Sequence, residues 1–251
     1  MIQGLYAAAA GMIAVEDRLA VIANNVANAP TPGFRGQDTV QEGFYSVLLS
    51  QLRHANSLNA DPGPGGGLVT TETFTDLRGG PITITGDPLN VALIGPGFLS
   101  VDTPQGERFT RSGQFSIDAD GQLATAEGYK VLGLGGAIDV AGGTVEIGRS
   151  GLVSVDGQPA GVLRITEFED PHMLSRQGHT LYSASDQARA RSSAATDTEV
   201  APNSLEMSNV QVAAEMAKMT LGLRAYSANQ RVINVFDETM SRLINEVGAP
   251  V

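Results

Sequence analysis

The chain contains no cysteine, which excludes disulfides, thiolate metal sites and cysteine nucleophiles. A cysteine-free chain suits reducing and oxidising compartments alike, so this absence leaves the compartment open. Positive charge is scarce: 16 Lys and Arg stand against 27 Asp and Glu, a net charge of −11. That is the wrong sign for a phosphate-neutralising surface, and it argues against nucleic acid as a partner. No apolar run approaches the roughly 20 residues that a membrane-crossing helix needs. The opening MIQGLYAAAAGMIAVEDRLA has the apolar look of a signal peptide, but it lacks a basic leading segment, and Glu16, Asp17 and Arg18 interrupt it. It is expected to be retained, so work outside the cytoplasm would need export without a cleaved signal.

Recognisable site chemistry is also sparse. His54, His172 and His179 are dispersed and match no helical metal pair. The DADG sequence at 118 to 121 lacks the third oxygen ligand of a calcium loop and reads as a tight hairpin turn. The glycine-rich runs at 63 to 67 and 133 to 137 have no phosphate-binding lysine. Glu167 and Glu169 share one strand face and could in principle form a glycosidase pair, but a solvated face is the expected reading. No G-x-S-x-G elbow organises the serines. The reading is therefore of a chain with no cofactor, no metal, no catalytic residues and no small-molecule substrate.

Hydrophobic periodicity is present, and it divides the chain. Leu5, Ala8, Met12, Val15, Leu19, Ile22 and Val26 follow one another at alternating spacings of three and four, an unbroken a/d stripe. Pro30, Pro32 and Gly33 end it, so the first helix is expected over residues 2 to 28. Near the other end the same alternation runs through Val212, Met216, Met219, Leu223, Tyr226, Gln230, Ile233, Asp237, Met240, Ile244 and Val247, with Ser208 or Asn209 as expected cap. Two such helices can pair with each other or with copies of themselves. Val40, Phe44, Val47, Leu48 and Leu52 suggest a shorter second helix over residues 39 to 54.

The linker DPGPGGG follows at 61 to 67. From residue 68 to about 185 the period changes to two, in short β-prone runs separated by Gly, Asp and Pro turns. Ile117 to Gly121 and Ile147 to Gly151 suggest two similar hairpin turns. Residues 186 to 206 are small, polar and aperiodic, as a return strand or linker would be. The expected division is residues 1–66 as N-terminal heptad helix and connecting segment, 67–190 as an antiparallel β domain, and 191–251 as linker and C-terminal heptad helix packing on 1–28.

The segment ANNVANAPTPGFRGQ at 23 to 37 places Asn24, Asn25 and Asn28 at a helix end, then Gly33 as a turn and Phe34 as an apolar anchor. It resembles the A-N-N-x-A-N-x-x-T-x-G-F motif of the bacterial flagellar rod and hook family. Residues 95 to 133 and 145 to 157 look like that family's β domain. Residues 208 to 244, with Ser208-Asn209-Val210 at their head and Arg224-Ala225-Tyr226 midway, look like its C-terminal helix. The resemblance covers nearly the whole chain in order. One β domain in 251 residues resembles the proximal or the distal rod members, and length favours the proximal type.

The resemblance implies an α+β fold whose N- and C-terminal helices pair as a coiled coil around one inserted antiparallel all-β domain. It also implies a self-assembling structural subunit of the flagellar basal body, without enzyme activity. The expected partners are copies of itself, other rod and hook subunits, the flagellar export apparatus and the surrounding ring proteins. The helical seam is assigned to Leu5, Met12, Val15, Leu19, Ile22, Val26, Met216, Met219, Leu223, Tyr226, Ile233, Met240 and Ile244. The assembly motif is assigned to Asn24, Asn25, Asn28, Gly33 and Phe34. The competing readings are a cell-wall-acting enzyme on the β domain and a closed, trimeric coiled-coil adhesin or binding module.

Overall fold

The computed structural model describes residues 2–43, 68–195 and 198–247. The chain divides into two compact units. One comprises residues 1–27, 37–75 and 211–251, and the other 28–36 and 76–210. The described α-helices are α1 (Ile2–Ala27), α2 (Asp186–Ala190) and α3 (Val212–Val247).

In the first unit, α1 and α3 pack antiparallel. Gly11 of α1 lies against Asn229 of α3, and Leu19, further along α1, lies against Gly222, earlier in α3. The run of four alanines at 7 to 10 favours helix in α1. Beside the helices, strands β1 (Gln37–Gly43) and β2 (Leu68–Thr75) pair antiparallel from Gln37 opposite Thr75 to Gly43 opposite Leu68, with a bulge after Val40. This corrects the expected helix at 39 to 54 for residues 39 to 43, while residues 44 to 54 lie outside the described residues. Thr39 and Val40 are β-branched and find a β-branched partner strand, which supplies ladder hydrogen bonds that an isolated short helix would not match.

The second unit is antiparallel β. Its strands are β3 (Ile82–Ile84), β4 (Val91–Ile94), β5 (Phe98–Thr103), β6 (Gly106–Thr110), β7 (Phe115–Ile117), β8 (Leu123–Thr125), β9 (Lys130–Gly133), β10 (Gly136–Ala137), β11 (Val145–Ile147), β12 (Leu152–Val155), β13 (Gln158–Val162), β14 (Ile165–Phe168), β15 (Leu174–Gln177), β16 (Leu181–Ala184), β17 (Ser192–Ala194), β18 (Glu199–Pro202) and β19 (Ser204–Glu206). The main sheet runs β15-β16-β6-β5-β9-β8-β7, with β10 on β9, β14 on β5 and β17 on β14. A three-stranded sheet orders β11-β12-β13, and two pairs, β18-β4 and β19-β3, complete the unit.

The two-residue period of β5 explains the core. Leu99 and Val101 enter one apolar cluster with Val91, Leu123, Val131 and Val153. Phe98 enters a second, with Phe109, Phe168 and Tyr182. Its ring meets those of Phe168 and Tyr182 edge-on at 5.9 and 5.6 Å. The two expected hairpins share one bonding scheme. Asp118 and Gly148 each donate to the residue four later, and Gly121 and Gly151 each donate back to those same residues.

The segment 186 to 206 does more than connect. It forms α2, then β17, β18 and β19, which pair with β14, β4 and β3. Helix α3 starts at Val212, with the Gln211 carbonyl accepting from the Glu215 amide. The expected cap at Ser208 or Asn209 is thus corrected, because Asn209 is engaged elsewhere. Truncating Phe98 to alanine should lower the unfolding free energy of the second unit by about 3 to 5 kcal/mol, read by chemical denaturation. A loss below about 1 kcal/mol would remove Phe98 from the core.

Candidate assembly site

Within the first unit, the C-terminal end of α1 is held by Asn25, which is buried. Its amide behaves like a strand partner for Gln37: Nδ2 donates to the Gln37 carbonyl at 2.7 Å, and Oδ1 accepts from the Gln37 amide at 2.9 Å. Nδ2 also reaches Glu215 Oε2 at 3.3 Å. Lys218 donates to Glu215 at 2.8 Å and lies 3.6 Å from Asp38. The bond to Glu215 is the main reason the Lys218 ammonium titrates above the ordinary lysine range. One asparagine thus ties the end of α1 to the start of β1 and the first turn of α3.

Within the second unit, residues 28 to 36 form a tight turn. The Asn28 carbonyl accepts from the Thr31 amide at 3.1 Å, and the Thr31 carbonyl from the Phe34 amide at 3.3 Å. Gly33 adopts φ +70°, and a Cβ there would sit 2.3 Å from the Ser112 amide nitrogen, so both conformation and space demand glycine. Phe34 is wholly buried, with the Arg176 guanidinium 4.3 Å from its ring centre. Arg176 also donates to the Arg35 carbonyl at 2.9 Å.

Beneath this turn lies an ionic core. Arg35 is wholly buried and donates to Glu206 Oε1 at 2.6 Å. That oxygen also accepts from the Gly80 amide at 3.0 Å, and Arg111 lies 3.7 Å from the other oxygen. The Glu206 carbonyl accepts from the Gly33 amide at 2.7 Å. Arg111 further donates to the Gly95 carbonyl and stacks over Phe98 at 4.9 Å. Burial pushes its guanidinium down to about 10, so it remains protonated at neutral pH. Burial likewise raises the Tyr182 phenol. Asn209 completes the arrangement: its Oδ1 accepts from the Gly36 amide, while its Nδ2 donates to the carbonyls of Asp76 and Arg78. The Asp76 amide donates to the Gly36 carbonyl.

These groups clamp backbone and present no nucleophile beside a base. Among the described residues, no cluster of three or more His, Asp or Glu could hold a metal ion. Glu167 accepts from Thr198 at 2.7 Å while Glu169 is exposed.

The structure places the expected seam residues unevenly. On α1, Val15 and Ile22 are buried, Met12, Leu19 and Val26 half-buried, and Leu5 exposed. On α3, Met219, Tyr226 and Ile233 are half-buried, whereas Met216, Leu223 and Met240 are exposed in the subunit, Leu223 by 52%. The Ile244 side chain lies outside the described residues. The covered line of α3 instead runs Glu215, Met219, Gly222, Tyr226, Asn229, Ile233 and Phe236. It keeps the heptad spacing but moves one residue back at alternate positions. Gly222 explains the shift, because a Cβ there would come within 2.8 Å of Leu19. Of the motif, Asn25, Asn28, Gly33 and Phe34 are buried and Asn24 is exposed.

The sequence reading missed Arg35, Arg111, Arg176, Glu206, Glu215 and Gln37. An arginine directly after a Gly-Phe anchor was the one local signal. Its carboxylate partner lies 171 residues away.

Three family models match the chain in order. One for flagella basal body rod proteins matches residues 5–35, one for the flagellar hook protein FlgE/F/G D1 domain matches 92–155, and one for the flagellar basal body rod FlgEFG protein C-terminal region matches 201–246. The flagellar basal-body rod protein FlgG of Caulobacter vibrioides is 31% identical over 257 residues, covering 95% of this chain and 97% of that protein. The chain belongs to the flagellar rod and hook protein family. The flagellar basal-body rod protein FlgF of the same organism is 29% identical over 251 residues, with 99% of each chain covered. FlgG of Bacillus subtilis is 29% identical over 265 residues, with 98% and 99% covered.

The residues matched at both ends thus include the Arg35–Glu206 pair. Glu206→Gln should leave two buried guanidiniums without their carboxylate and cost about 3 to 5 kcal/mol. The double variant Arg35→Met with Glu206→Leu should cost less than the sum of its single changes. Denaturation of all four proteins checks the cycle, and strict additivity would contradict the pairing.

Proposed function

We propose that this chain is a structural subunit of the bacterial flagellar basal-body rod, polymerising helically through its terminal helices into the axial drive shaft around the export channel. The carrying observation is that rod and hook family models match both terminal helices and the β centre in order, while relatives covered over nearly their whole length are named as rod proteins. The subunit works without enzyme activity or cofactor. Its partners are copies of itself, adjoining rod and hook subunits, the export apparatus and the surrounding rings, at the basal body.

In this reading α1 and α3 form a coiled coil as the assembly element, and the β unit stands as its attachment. Asn24, Asn25, Asn28, Gly33 and Phe34 form a joint that sets how the chain leaves the helix. The proximal position is favoured on length, because the chain carries one β domain in 251 residues. A distal rod or hook-type axial subunit is the second reading.

Deleting the gene should abolish rods and motility, and the protein should be found in purified basal bodies by mass spectrometry. Its absence from basal bodies of motile cells would defeat the proposal. Asn25→Ala, which removes both bonds to Gln37, should reduce incorporation into rods while the β unit melts at an unchanged temperature. Full incorporation would leave the motif as a simple helix stop.

A further inference from the structure

In the second unit, Arg35, Arg111, Tyr182 and Glu206 are exposed by only 0, 4, 1 and 3%. Glu206 joins the two guanidiniums, 2.6 Å from Arg35 and 3.7 Å from Arg111. Arg111 and Tyr182 share the Phe98 ring, the first over its face at 4.9 Å and the second edge-on at 5.6 Å. The hydrogen bonding of this cluster does not close. Among the described residues, Arg35 Nε and Nη1, Arg111 Nε, the Tyr182 hydroxyl and Glu206 Oε2 are buried without a hydrogen-bond partner. The guanidinium nitrogens can only donate, and burial raises the Tyr182 phenol, so it keeps its proton and can donate too. The one leftover acceptor, Glu206 Oε2, already faces the Arg111 charge. Donors are thus in surplus. Charge is unbalanced in the same direction: two guanidiniums face one carboxylate, and the next charges acting on the cluster, Arg176 and Glu167, are of opposite sign and cancel.

We propose that this cluster binds one small monovalent anion, chloride in ordinary salt, through the unpartnered donors of Arg35, Arg111 and Tyr182. Buried donors left unmade are costly, and so is an uncompensated buried charge. A neutral water answers the first cost and not the second, whereas a monovalent anion answers both. A cation has the wrong sign, and a divalent anion would overcharge the cluster beside Glu206. Enclosure by buried groups selects a monatomic ion over a larger one. The ion's work is structural. It completes the clamp that holds the 28 to 36 turn on the β unit, so its binding is linked to folding, and the unit becomes more stable as free chloride rises. The chain's net charge of −11 disfavours chloride on the surface, so a chloride-specific response points to the interior. This site goes beyond the rod role and does not depend on it.

The test is urea denaturation of the full purified chain in mixtures of sodium chloride and sodium methanesulfonate at constant ionic strength. Above the dissociation constant, the unfolding constant of the second unit should fall about tenfold for each tenfold rise in chloride, as one bound ion requires. Tyr182→Phe keeps the ring and removes one donor, and it should raise the chloride concentration at which this response begins by about tenfold or more. Glu206→Gln removes the competing negative charge and should lower it by a similar factor. A general salt effect would shift in neither variant. Stability indifferent to the exchange of chloride for methanesulfonate, or a response unchanged in both variants, overturns the site. Crystals grown in sodium bromide give a second readout that needs no variant. One anomalous peak within hydrogen-bonding reach of Arg35 and Arg111 supports the site, and a map without a peak there overturns it.

Discussion

A single buried carboxylate organises the second unit where its chain ends gather. Glu206 receives Arg35, Gly80 and Arg111 through its side chain and Gly33 through its backbone. A carboxylate in that position has lost its water and depends on the guanidiniums and amide around it, so those groups are constrained together. Its neighbour three residues on, Asn209, repeats the task with three backbone groups drawn from residues 36, 76 and 78. The result is a clamp on segments that are far apart in sequence. Such an ionic cluster favours the one arrangement in which its charges are paired.

The first unit solves a different problem. The line of α3 that faces α1 contains a glycine, an asparagine and a glutamate among its apolar members. These small and polar groups allow close approach at Gly222 and Gly11, and a directed network at Glu215. Many of the larger apolar side chains of α3 are consequently left on the outside, including Met216, Leu221, Leu223, Val235 and Met240. An exposed apolar face of this kind would be a liability for an isolated globular protein.

Local features were legible where one short stretch carried both cause and effect. Gly33 could be read as an obligatory turn because prolines crowd it, and the paired hairpins at Ile117 and Ile147 repeat a turn within five residues. Residues 39 to 43 misled because Val40 fits a helical spacing, and only the approach of β2 converts the segment to strand. The clamp was invisible for a stronger reason. Arg35 and Glu206 each look like ordinary surface charges, and beyond the Gly-Phe anchor before Arg35 nothing local announces that folding brings them within 2.6 Å.

The sequence by itself determined that both ends are amphipathic helices around a β centre, since periods of 3.5 and 2 are intrinsic to how side chains project from each backbone. Tertiary structure alone decided which edge of the α3 stripe is covered. Two overlapping lines share Met219, Tyr226 and Ile233, and hydrophobicity favours the one through Leu223. The subunit uses the one through Gly222 and Asn229, because shape and hydrogen bonding against α1 outweigh the burial of a few more apolar side chains.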